Sequence, residues 1–362
     1  MENKTIAFYI GSLSKGGAER VMTNLAAYFH SQDFRVYLVT KEIDESGEYE
    51  VPQGVTRIMA DIEGDEISKS RVKNLFARIG KLKKIWKEIK PDVIISFIRK
   101  NNLMAIASSR GLHIPVAVSI RSNPARELKG RIFKPLSFFM FRFADGIILQ
   151  TTQAARFMPS YLQKKIVIMP NSLAEQFMHV EHIGVRRQEI VTVGRIDDNK
   201  NQLMLLKAFK SLEDDYPDWT LKLYGDGNQR KAWEEEYADD RIIFAGQVSD
   251  VPKHIKDAAI FVLPSKQEGM PNALIEAMAM GLACISTDCP CGGPADIIKQ
   301  DVNGILIPVD DVEALTLRLK GLMEDENKRN ALGREAVKIT DRLAPDKVNE
   351  EWKQYVLGLI KS

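Results

Sequence analysis

The stretch Pro264-Ser-Lys-Gln-Glu-Gly-Met-Pro-Asn-Ala-Leu-Ile-Glu-Ala-Met-Ala-Met-Gly281 predicts how the second half of the chain folds. It follows an apolar strand, Ile260 to Leu263, and runs through a polar loop into a short helix. Pro271 suits the first turn of that helix, where its missing N–H has no partner to lose, and Gly281 closes it. Backbone N–H groups at a helix N-terminus attract anions, so the loop is a natural seat for a phosphate.

Two carboxylates flank this seat. Glu268 and Glu276 have seven residues between them, and Glu276 falls just over one turn inside the helix. At 3.6 residues per turn, we expect Glu276 to point back over the same pocket. The helix dipole alone also favours a carboxylate near a helix start, so the pair by itself favours a structural explanation.

Strand and helix patterns alternate along the whole chain. Such alternation predicts an α/β protein with mostly parallel, doubly wound sheets. Apolar periodicity is lost between residues 170 and 188, and a strand–turn–helix pattern restarts at Ile190. We therefore expect an N-terminal domain at 1–170, a connection at 171–188, a second domain at 189–345, and a C-terminal helix at 346–362 that packs back on the first domain. The predicted strands are Ile6–Ile10, Val36–Val39, Arg57–Met59, Val93–Phe97, Val116–Ile120, Gly146–Leu149, Ile166–Met169, Ile190–Val193, Leu221–Tyr224, Ile242–Ala245, Ile260–Leu263, Ala283–Ser286 and Ile305–Ile307.

Composition narrows the class of protein. The 362 residues are 44% hydrophobic and 28% charged, which is typical of a soluble globular protein. No apolar run of about 18 residues is present, and the N-terminus lacks the charged and apolar regions of a signal peptide. Three cysteines cannot form a disulfide framework, and Cys289-Pro-Cys291 lacks the spacing of a metal or redox pair. A cytoplasmic enzyme without a metal is the expectation.

Positive charge is concentrated in the first half. Residues 1–180 carry 27 Lys and Arg against 17 Asp and Glu, a net of +10, and the remaining −8 gives the total of +2. A predicted helix at 69–90 carries nine cations and one acid beside an apolar stripe with Phe76 and Trp86. A solvated face over a core-facing stripe explains the periodicity, whereas the clustered like charges favour an anionic membrane surface. A second basic–aromatic segment spans residues 126–141, and no nucleic-acid-binding motif accompanies either segment.

Two glycine-bearing turns follow first strands. The loop Gly11 to Gly17 is not a dinucleotide fingerprint, because Leu13 stands where G-x-G-x-x-G needs glycine. Gly16 and Gly17 either line a ligand or simply make the turn. In the second half, Arg195 and Lys200 follow the strand that begins at Ile190. Two cations beside a helix start suit a diphosphate leaving group, whose charge grows as its bond to carbon breaks.

At these residues the chain resembles the family 4 retaining glycosyltransferases of GT-B fold, and among them bacterial enzymes that extend lipid-diphosphate-linked glycans. The resemblance implies two facing Rossmann-like domains with a cleft between them. It is carried by Gly16-Gly-Ala-Glu-Arg20, Gly194-Arg-Ile-Asp-Asp-Asn-Lys-Asn201, Gly225-Asp-Gly227, Gly246-Gln-Val248 and the segment from Glu268 to Glu276.

The resemblance also implies roles at the matching positions. Arg195 and Lys200 would hold the diphosphate of a nucleotide sugar, Glu276 its ribose, and Glu268 its sugar. The backbone from Gly246 to Val248 would contact the base. Further donor contacts would come from Gly16, Gly17, Gly269, Met270, Pro271 and Asn272. No metal is expected.

Arg121 departs from the family pattern. It stands in Val118-Ser-Ile-Arg-Ser-Asn-Pro124, where many relatives have a histidine that contacts the donor sugar. A guanidinium does not titrate near neutral pH, so Arg121 is expected to bind a donor hydroxyl or an acceptor phosphate instead.

The sequence thus predicts a retaining glycosyltransferase at the inner face of the cell membrane. Its donor would be a UDP-sugar and its acceptor a polyprenyl-diphosphate-linked saccharide, with Glu268, Arg195, Lys200 and Arg121 as candidate catalytic residues. The alternatives are a sugar-nucleotide epimerase of similar fold and a non-enzymatic module that binds anionic lipid or nucleic acid.

Overall fold

The chain forms two compact units. A computed structural model describes residues 4–14, 16–44, 47–64, 67–180 and 182–361. The first unit comprises Met1–Pro170 together with Val348–Ser362, and the second comprises Asn171–Lys347. The expected connection at 171–188 falls within the second unit. Residues 1–3, which carry part of the signal-peptide prediction, and Lys15 in the loop at 11–17 lie outside the described residues.

Seven parallel strands form the sheet of the first unit. They are β1 (Thr5–Ile10), β2 (Arg35–Thr40), β3 (Thr56–Met59), β4 (Val93–Phe97), β5 (Val116–Ser119), β6 (Gly146–Leu149) and β7 (Ile166–Ile168). Their order across the sheet is β3-β2-β1-β4-β5-β6-β7. The order reverses between β1 and β4, and both strands are buried along their whole length. Ligands of doubly wound sheets bind beyond the carboxyl ends of strands at such a reversal.

Helices connect these strands. They are α1 (Gly17–Ser31), α2 (Arg71–Ile89), α3 (Arg99–Ser109), α4 (Pro124–Glu127), α5 (Phe133–Phe141) and α6 (Thr152–Phe157), with a 3-10 segment at Ser160–Lys165. The C-terminal helix, α15 (Pro345–Lys361), belongs to this unit from Val348 onward. Its Trp352 is buried, and the centre of the Trp352 ring lies 6.1 Å from that of Phe97, the last residue of β4.

The second unit repeats the plan with six parallel strands. They are β8 (Arg187–Val193), β9 (Thr220–Tyr224), β10 (Ile242–Gly246), β11 (Ala258–Leu263), β12 (Ala283–Thr287) and β13 (Ile305–Ile307). Their order is β10-β9-β8-β11-β12-β13, so the reversal lies between β8 and β11. The helices are α7 (Gln202–Lys210), α8 (Arg230–Tyr237), α9 (Val251–Ile255), α10 (Asn272–Ala279), α11 (Gly293–Ile297), α12 (Val312–Glu324), α13 (Glu326–Ala336) and α14 (Ile339–Arg342), and a 3-10 segment spans Glu175–Phe177.

The predicted fold class is confirmed, with two parallel, doubly wound α/β units as in the GT-B fold. Every strand in the described residues overlaps a predicted one. The short helices α4, α6, α9 and α11 were not predicted, because four to six residues give no periodic apolar pattern. The sequence also predicts a single helix at 328–340, but the structure has the two helices α13 and α14 there, and Ile339 and Leu343 lie in the core.

Helix α2 corrects the expectation of a core-facing stripe. Leu82, Ile85 and Trp86 in its second half are buried, but Leu75 and Phe76 in its first half are exposed. A helix of 19 residues is about 28 Å long, whereas the five-residue strand β4 spans about 17 Å. The first turns of α2 therefore extend beyond the sheet that its second half covers. None of the helices in the described ranges is both long and apolar enough to cross a bilayer.

Candidate active site

Asp197 shapes the loop that follows β8. Its Oδ1 accepts hydrogen bonds from the backbone N–H groups of Asn199 at 3.0 Å and Lys200 at 2.8 Å. Its Oδ2 lies 3.4 Å from Nε of Arg195, whose side chain is 76% exposed. The carboxylate thus fixes the loop just before α7 and positions both predicted diphosphate-binding cations on it, with Arg195 facing solvent.

The motif Gly225-Asp-Gly227 lets the loop after β9 pack directly on the loop after β8. The N–H of Gly194 donates to Tyr224 O, and the N–H of Ile196 donates to Asp226 O, each at 2.9 Å. A Cβ at Gly225 would overlap the carbonyl oxygen of Gly194, and a Cβ at Gly227 would overlap the backbone of Ile196. Two glycines are needed here because backbone meets backbone.

Lys200 and Glu268 form an ion pair across 68 residues of sequence. Nζ of Lys200 lies 2.6 Å from Oε1 of Glu268, and the two side chains are 23% and 11% exposed. The strands that carry them, β8 and β11, are neighbours at the reversal of the second sheet. The structure therefore brings one predicted cation and one predicted carboxylate together at the expected edge.

Backbone contacts hold the loop after β11 in place on both sides. The N–H of Lys266 donates to Asn199 O at 2.8 Å, and Nδ2 of Asn199 donates to Gln267 O at 3.1 Å. On the other side, the N–H of Glu268 donates to Pro290 O at 2.9 Å. A Cβ at Gly293 would overlap the carbonyl oxygen of Gly269, so this approach also requires glycine.

Helix α10 begins one residue later than predicted. It starts at Asn272, and Pro271 precedes it with φ of −81° and ψ of 100° in place of the predicted first-turn conformation. Gly281 ends the helix as predicted, with φ of 72°. Glu276 is the fifth residue of α10 and is only 6% exposed, among Ile275, Ala277 and other buried side chains. Its burial agrees with a site position inside the helix.

Asn171 is a site residue that the sequence reasoning missed. It is buried, and its Nδ2 donates to Oδ1 of Asn272 at 2.7 Å and to Met270 O at 3.3 Å. It therefore fixes the predicted contact segment before α10. Its partners are 99 and 101 residues away, and no local pattern marks such a contact.

The predicted base-contacting segment lies at the end of β10. Gly246 has φ of 76°, its carbonyl accepts the N–H of Gly225 at 2.8 Å, and Val248 is half-buried nearby in sequence. Arg230 was not predicted, yet its Nη2 donates to Phe244 O at 3.3 Å and its guanidinium borders Gly246. It follows Gly225-Asp-Gly227 by three residues, and that proximity is the signal that marks it in the sequence.

The remaining predicted residues belong to the first unit. Gly16 precedes α1, and Gly17 is its first residue. Arg121 follows β5 and is half-buried, with its guanidinium 4.8 Å from the centre of the Phe97 ring. Burial lowers the pKa of Arg121 to about 10, and the charge of Glu127 opposes that shift. A pKa in that range leaves Arg121 a cation at neutral pH, and its role in binding stays a prediction.

The three cysteines lie in the second unit and are buried. Within the described residues, no group of three or more His, Cys, Asp or Glu side chains could hold a metal ion. Cys289 and Cys291 are buried, and burial raises the pKa of the Cys289 thiol to about 12. Cys289 is therefore a protonated thiol near neutral pH. Metal independence itself stays a prediction.

Two family models match the chain, one in each unit. Residues 15–176 match "Glycosyltransferase Family 4", and residues 187–325 match "Glycosyl transferases group 1". The chain is a family 4 glycosyltransferase. The predicted enzyme class and family are thereby confirmed.

Relatives of this glycosyltransferase act in lipid-linked glycan synthesis. It is 27% identical over 358 residues to a Campylobacter jejuni α-1,4-N-acetyl-D-galactosaminyltransferase named for the acceptor GalNAc-α-(1→4)-GalNAc-α-(1→3)-diNAcBac-PP-undecaprenol, covering 97% of this chain and 98% of the relative. It is 24% identical over 369 residues to a second enzyme of that organism, an N-acetylgalactosamine-N,N'-diacetylbacillosaminyl-diphospho-undecaprenol 4-α-N-acetylgalactosaminyltransferase, covering 98% of this chain and 99% of the relative.

Solved glycosyltransferase structures share the fold. Anabaena HepE, solved in complex with UDP, superposes with a TM-score of 0.79 at 16% identity, covering 98% of this chain and all of the HepE chain. At that identity the similarity establishes the fold of the family 4 enzyme but not its ligands.

Proposed function

We propose that this family 4 glycosyltransferase moves a hexose or N-acetylhexosamine from a UDP-sugar to a polyprenyl-diphosphate-linked saccharide, with retention of configuration. The observation that carries the proposal is the ion pair of 2.6 Å between Lys200 and Glu268 at the reversal of the second sheet. A mostly buried ammonium held by a single carboxylate can exchange that carboxylate for a diphosphate. On both sides of this ion pair, close backbone packing at Gly225, Gly227 and Gly293 holds the neighbouring loops at the same edge of the second sheet.

In the proposed donor complex, Lys200 binds the diphosphate and Arg195 joins it from the same loop. The Glu268 carboxylate, released from Lys200, accepts hydrogen bonds from hydroxyls of the donor sugar. Glu276 accepts from the ribose, and the backbone at Gly246 to Val248 contacts the base. These roles follow the family resemblance, and the burial of Glu276 and the backbone packing of Gly246 support them.

The proposed reaction breaks the bond between the anomeric carbon and the UDP oxygen on the face from which the acceptor attacks. The acceptor hydroxyl oxygen forms the new bond to that carbon, and its proton passes to an oxygen of the departing diphosphate. Lys200 and Arg195 stabilise the negative charge that grows on the leaving group. No metal is needed in this scheme, because two cations compensate the diphosphate.

The lipid-linked acceptor is supported by the acceptors named for the Campylobacter jejuni relatives. Arg121 is proposed to bind an acceptor phosphate or a donor hydroxyl from the first unit. We propose that the enzyme works at the inner face of the cell membrane, held there by the basic residues of the segment 69–90.

Incubation with UDP-sugars and a polyprenyl-diphosphate-linked saccharide tests the proposal. The expected result is release of UDP together with a glycan one sugar longer, unaffected by a metal chelator. Lys200→Ala and Arg195→Ala should lower kcat/KM, because both cations act on the charge of the transition state. Glu276→Ala should raise the donor KM. Lys207→Ala is the matched control, since Lys207 is exposed on α7, the helix that follows the loop of Lys200.

Other outcomes would overturn the proposal. Interconversion of free UDP-sugars without an acceptor would indicate an epimerase. Lipid or nucleic-acid binding that survives the Lys200, Arg195 and Glu276 variants, without any UDP release, would indicate a binding module. An inverted product linkage would contradict retention, and loss of activity on chelation would contradict metal independence.

A further inference from the structure

Helix α5 and the residues beside it expose an unusually apolar surface. The residues concerned, called here the α5 surface, are 39% to 76% exposed: Ile132, Phe133, Leu136, Phe139 and Phe143. Only Ser137 and Phe141 of the nine residues of α5 are buried, and Lys134 is its single charged side chain. Contiguous exposed apolar side chains of this kind mark sites of contact with a protein or a membrane.

Cations surround the α5 surface. Residues 126–143 carry five exposed Lys or Arg side chains against one acid, Glu127. The carboxylate of Glu127 accepts hydrogen bonds from the Arg99 N–H at 2.8 Å and the Ser122 hydroxyl at 2.7 Å. It is thus engaged within the protein, and the exposed charge around the surface is positive. The five cations are Arg126, Lys129, Arg131, Lys134 and Arg142.

Aromatic rings and cations of this segment are also in direct contact. The guanidinium of Arg99 lies 5.4 Å from the centre of the Phe133 ring, and that of Arg110 lies 4.5 Å from the centre of the Phe143 ring. Arg142 lies 5.6 Å from the ring of Tyr161, which is itself exposed. Apolar rings with cationic rims match the boundary between lipid chains and anionic headgroups.

The topology places this surface beside α2. Right-handed crossovers put the helices that follow β3, β4 and β5 on one face of the sheet, namely α2, α3 and α5. Nε1 of Trp86 in α2 donates to Oγ of Ser108 in α3 at 2.8 Å. Arg99 in α3 and Arg110 just after it contact the α5 surface. The basic helix and the α5 surface are thus parts of one helical layer.

The same topology places the first exposed apolar residues of α2 and α5 at one edge of the sheet. All strands are parallel, so each connecting helix starts at the carboxyl edge of the sheet and ends at the amino edge. The exposed Leu75 and Phe76 lie in the first turns of α2, and Phe133 and Leu136 lie in the first turn of α5. Both apolar sets therefore begin at the carboxyl edge of the sheet, where doubly wound sheets generally bind ligands.

We propose that the α5 surface inserts into an anionic lipid bilayer and thereby holds the first unit where a lipid-linked acceptor lies. The proposal rests on the lipid-linked acceptor proposed above, and it adds an apolar anchor to the electrostatic contact of α2. A second copy of the chain is a poorer occupant. A two-fold contact through this surface would set five cations against the same five cations.

Vesicle co-sedimentation tests the insertion with Phe133→Ser, Leu136→Ser and Phe139→Ser combined. On vesicles of phosphatidylcholine and phosphatidylglycerol, the affinity of the triple variant should fall about 100-fold. Each half-inserted side chain contributes a factor of about five, and the three factors multiply. Leu317→Ser is the matched control, since Leu317 is 69% exposed on α12 of the second unit, and it should bind like the unmodified protein. Part of the binding of the unmodified protein should persist at about 1 M salt, where the Debye length is about 3 Å.

Three results would overturn the insertion. They are unchanged binding of the triple variant, complete loss of wild-type binding at high salt, and a dimer that the triple variant abolishes without any vesicle binding. A water-soluble acceptor with a short lipid chain separates this proposal from the proposed function. The triple variant should still glycosylate that acceptor at the normal rate, whereas no transfer by the unmodified protein to any lipid-linked acceptor would contradict the function itself.

Discussion

Removing the carboxylate of Glu268 should destabilise the ligand-free second unit. The side chains of Lys200 and Glu268 are 23% and 11% exposed, and their charges lie 2.6 Å apart. Breaking a buried ion pair by removing one partner costs about 3–5 kcal/mol, and the residual exposure of Lys200 puts Glu268→Gln at about 3 kcal/mol. For a domain of this size, about 2–4 °C per kcal/mol predicts a Tm lower by about 6–12 °C.

The same substitution should strengthen UDP binding. Lys200 in Glu268→Gln lacks its internal counterion, and the diphosphate supplies a new one. If the diphosphate recovers about half of the lost stabilisation, the Kd for UDP falls about tenfold, since 1.4 kcal/mol corresponds to a factor of ten. Lys200→Met should raise the Kd for UDP by a similar factor, because it removes the attraction itself. Both variants should lower kcat.

Calorimetry measures both effects on the same samples. Differential scanning calorimetry gives Tm with and without UDP, and titration calorimetry gives the Kd. The control is Glu189→Gln. Glu189 is a buried carboxylate of the same unit that lies 3.1 Å from Arg187 and also pairs with Lys222, near the start of β8. It should lower Tm without changing the Kd for UDP, because the amino end of β8 is remote from the candidate site.

Two results would refute the exchange of Glu268 for diphosphate. One is weaker UDP binding by Glu268→Gln, which would make Glu268 a direct contributor to nucleotide affinity. The other is additivity in the variant that combines Glu268→Gln with Lys200→Met. Interacting partners should give a double variant more stable than the sum of the single effects predicts.

Three further predictions concern single residues. Gly227→Ala should lower Tm and weaken UDP binding at least about tenfold in titration calorimetry, because the new Cβ overlaps backbone, whereas Gly321→Ala in open space should stabilise by about 0.5–1 kcal/mol. Asn171→Ala should cost about 1–3 kcal/mol of unfolding free energy and raise the donor KM in steady-state kinetics. The side-chain hydrogen bond from Arg57 lowers the pKa of Glu48 from 4.5 to about 2, so roughly 3 kcal/mol of stability is fully present above pH 4.5 and is lost as the pH falls toward 2. In Glu48→Gln, this contribution to the fall of Tm between pH 4.5 and about 2 should be absent. A difference in Tm between the variant and the unmodified protein that does not change with pH would contradict the prediction.

The sheets were predictable because their strands are short, continuous apolar runs. Buried parallel strands such as β4 and β11 cannot alternate in polarity when helices cover both faces. Helix α2 shows the limit of the same reasoning. Its apolar residues recur at helical spacing, but periodicity gives the direction of a stripe and not what covers it. The excess length of the helix over its sheet decides that Phe76 is exposed and Trp86 is buried.

The site residues were predictable one loop at a time. The glycines at 225 and 227 and the acids at 268 and 276 each follow a strand, where doubly wound sheets bind ligands. Contacts between loops left no such pattern. Asn171 meets its partners across about a hundred residues, and Lys200 meets Glu268 across 68, so only the packed sheet reveals them. Arg230 was missed because an arginine on a helix has a sufficient explanation in its pairing with Glu234 at 3.2 Å.

The pairing of Lys200 with Glu268 bears on product release as well as on donor binding. When UDP departs, a mostly buried ammonium would lose its counterion, and that loss would favour retention of the product. The pairing of Glu268 with Lys200 at 2.6 Å would then supply a counterion from within the protein. In the proposed donor complex the carboxylate would therefore compete with the diphosphate and weaken the binding of UDP. Product inhibition by UDP should accordingly be stronger in Glu268→Gln than in the unmodified enzyme, in the same proportion as the fall in the Kd.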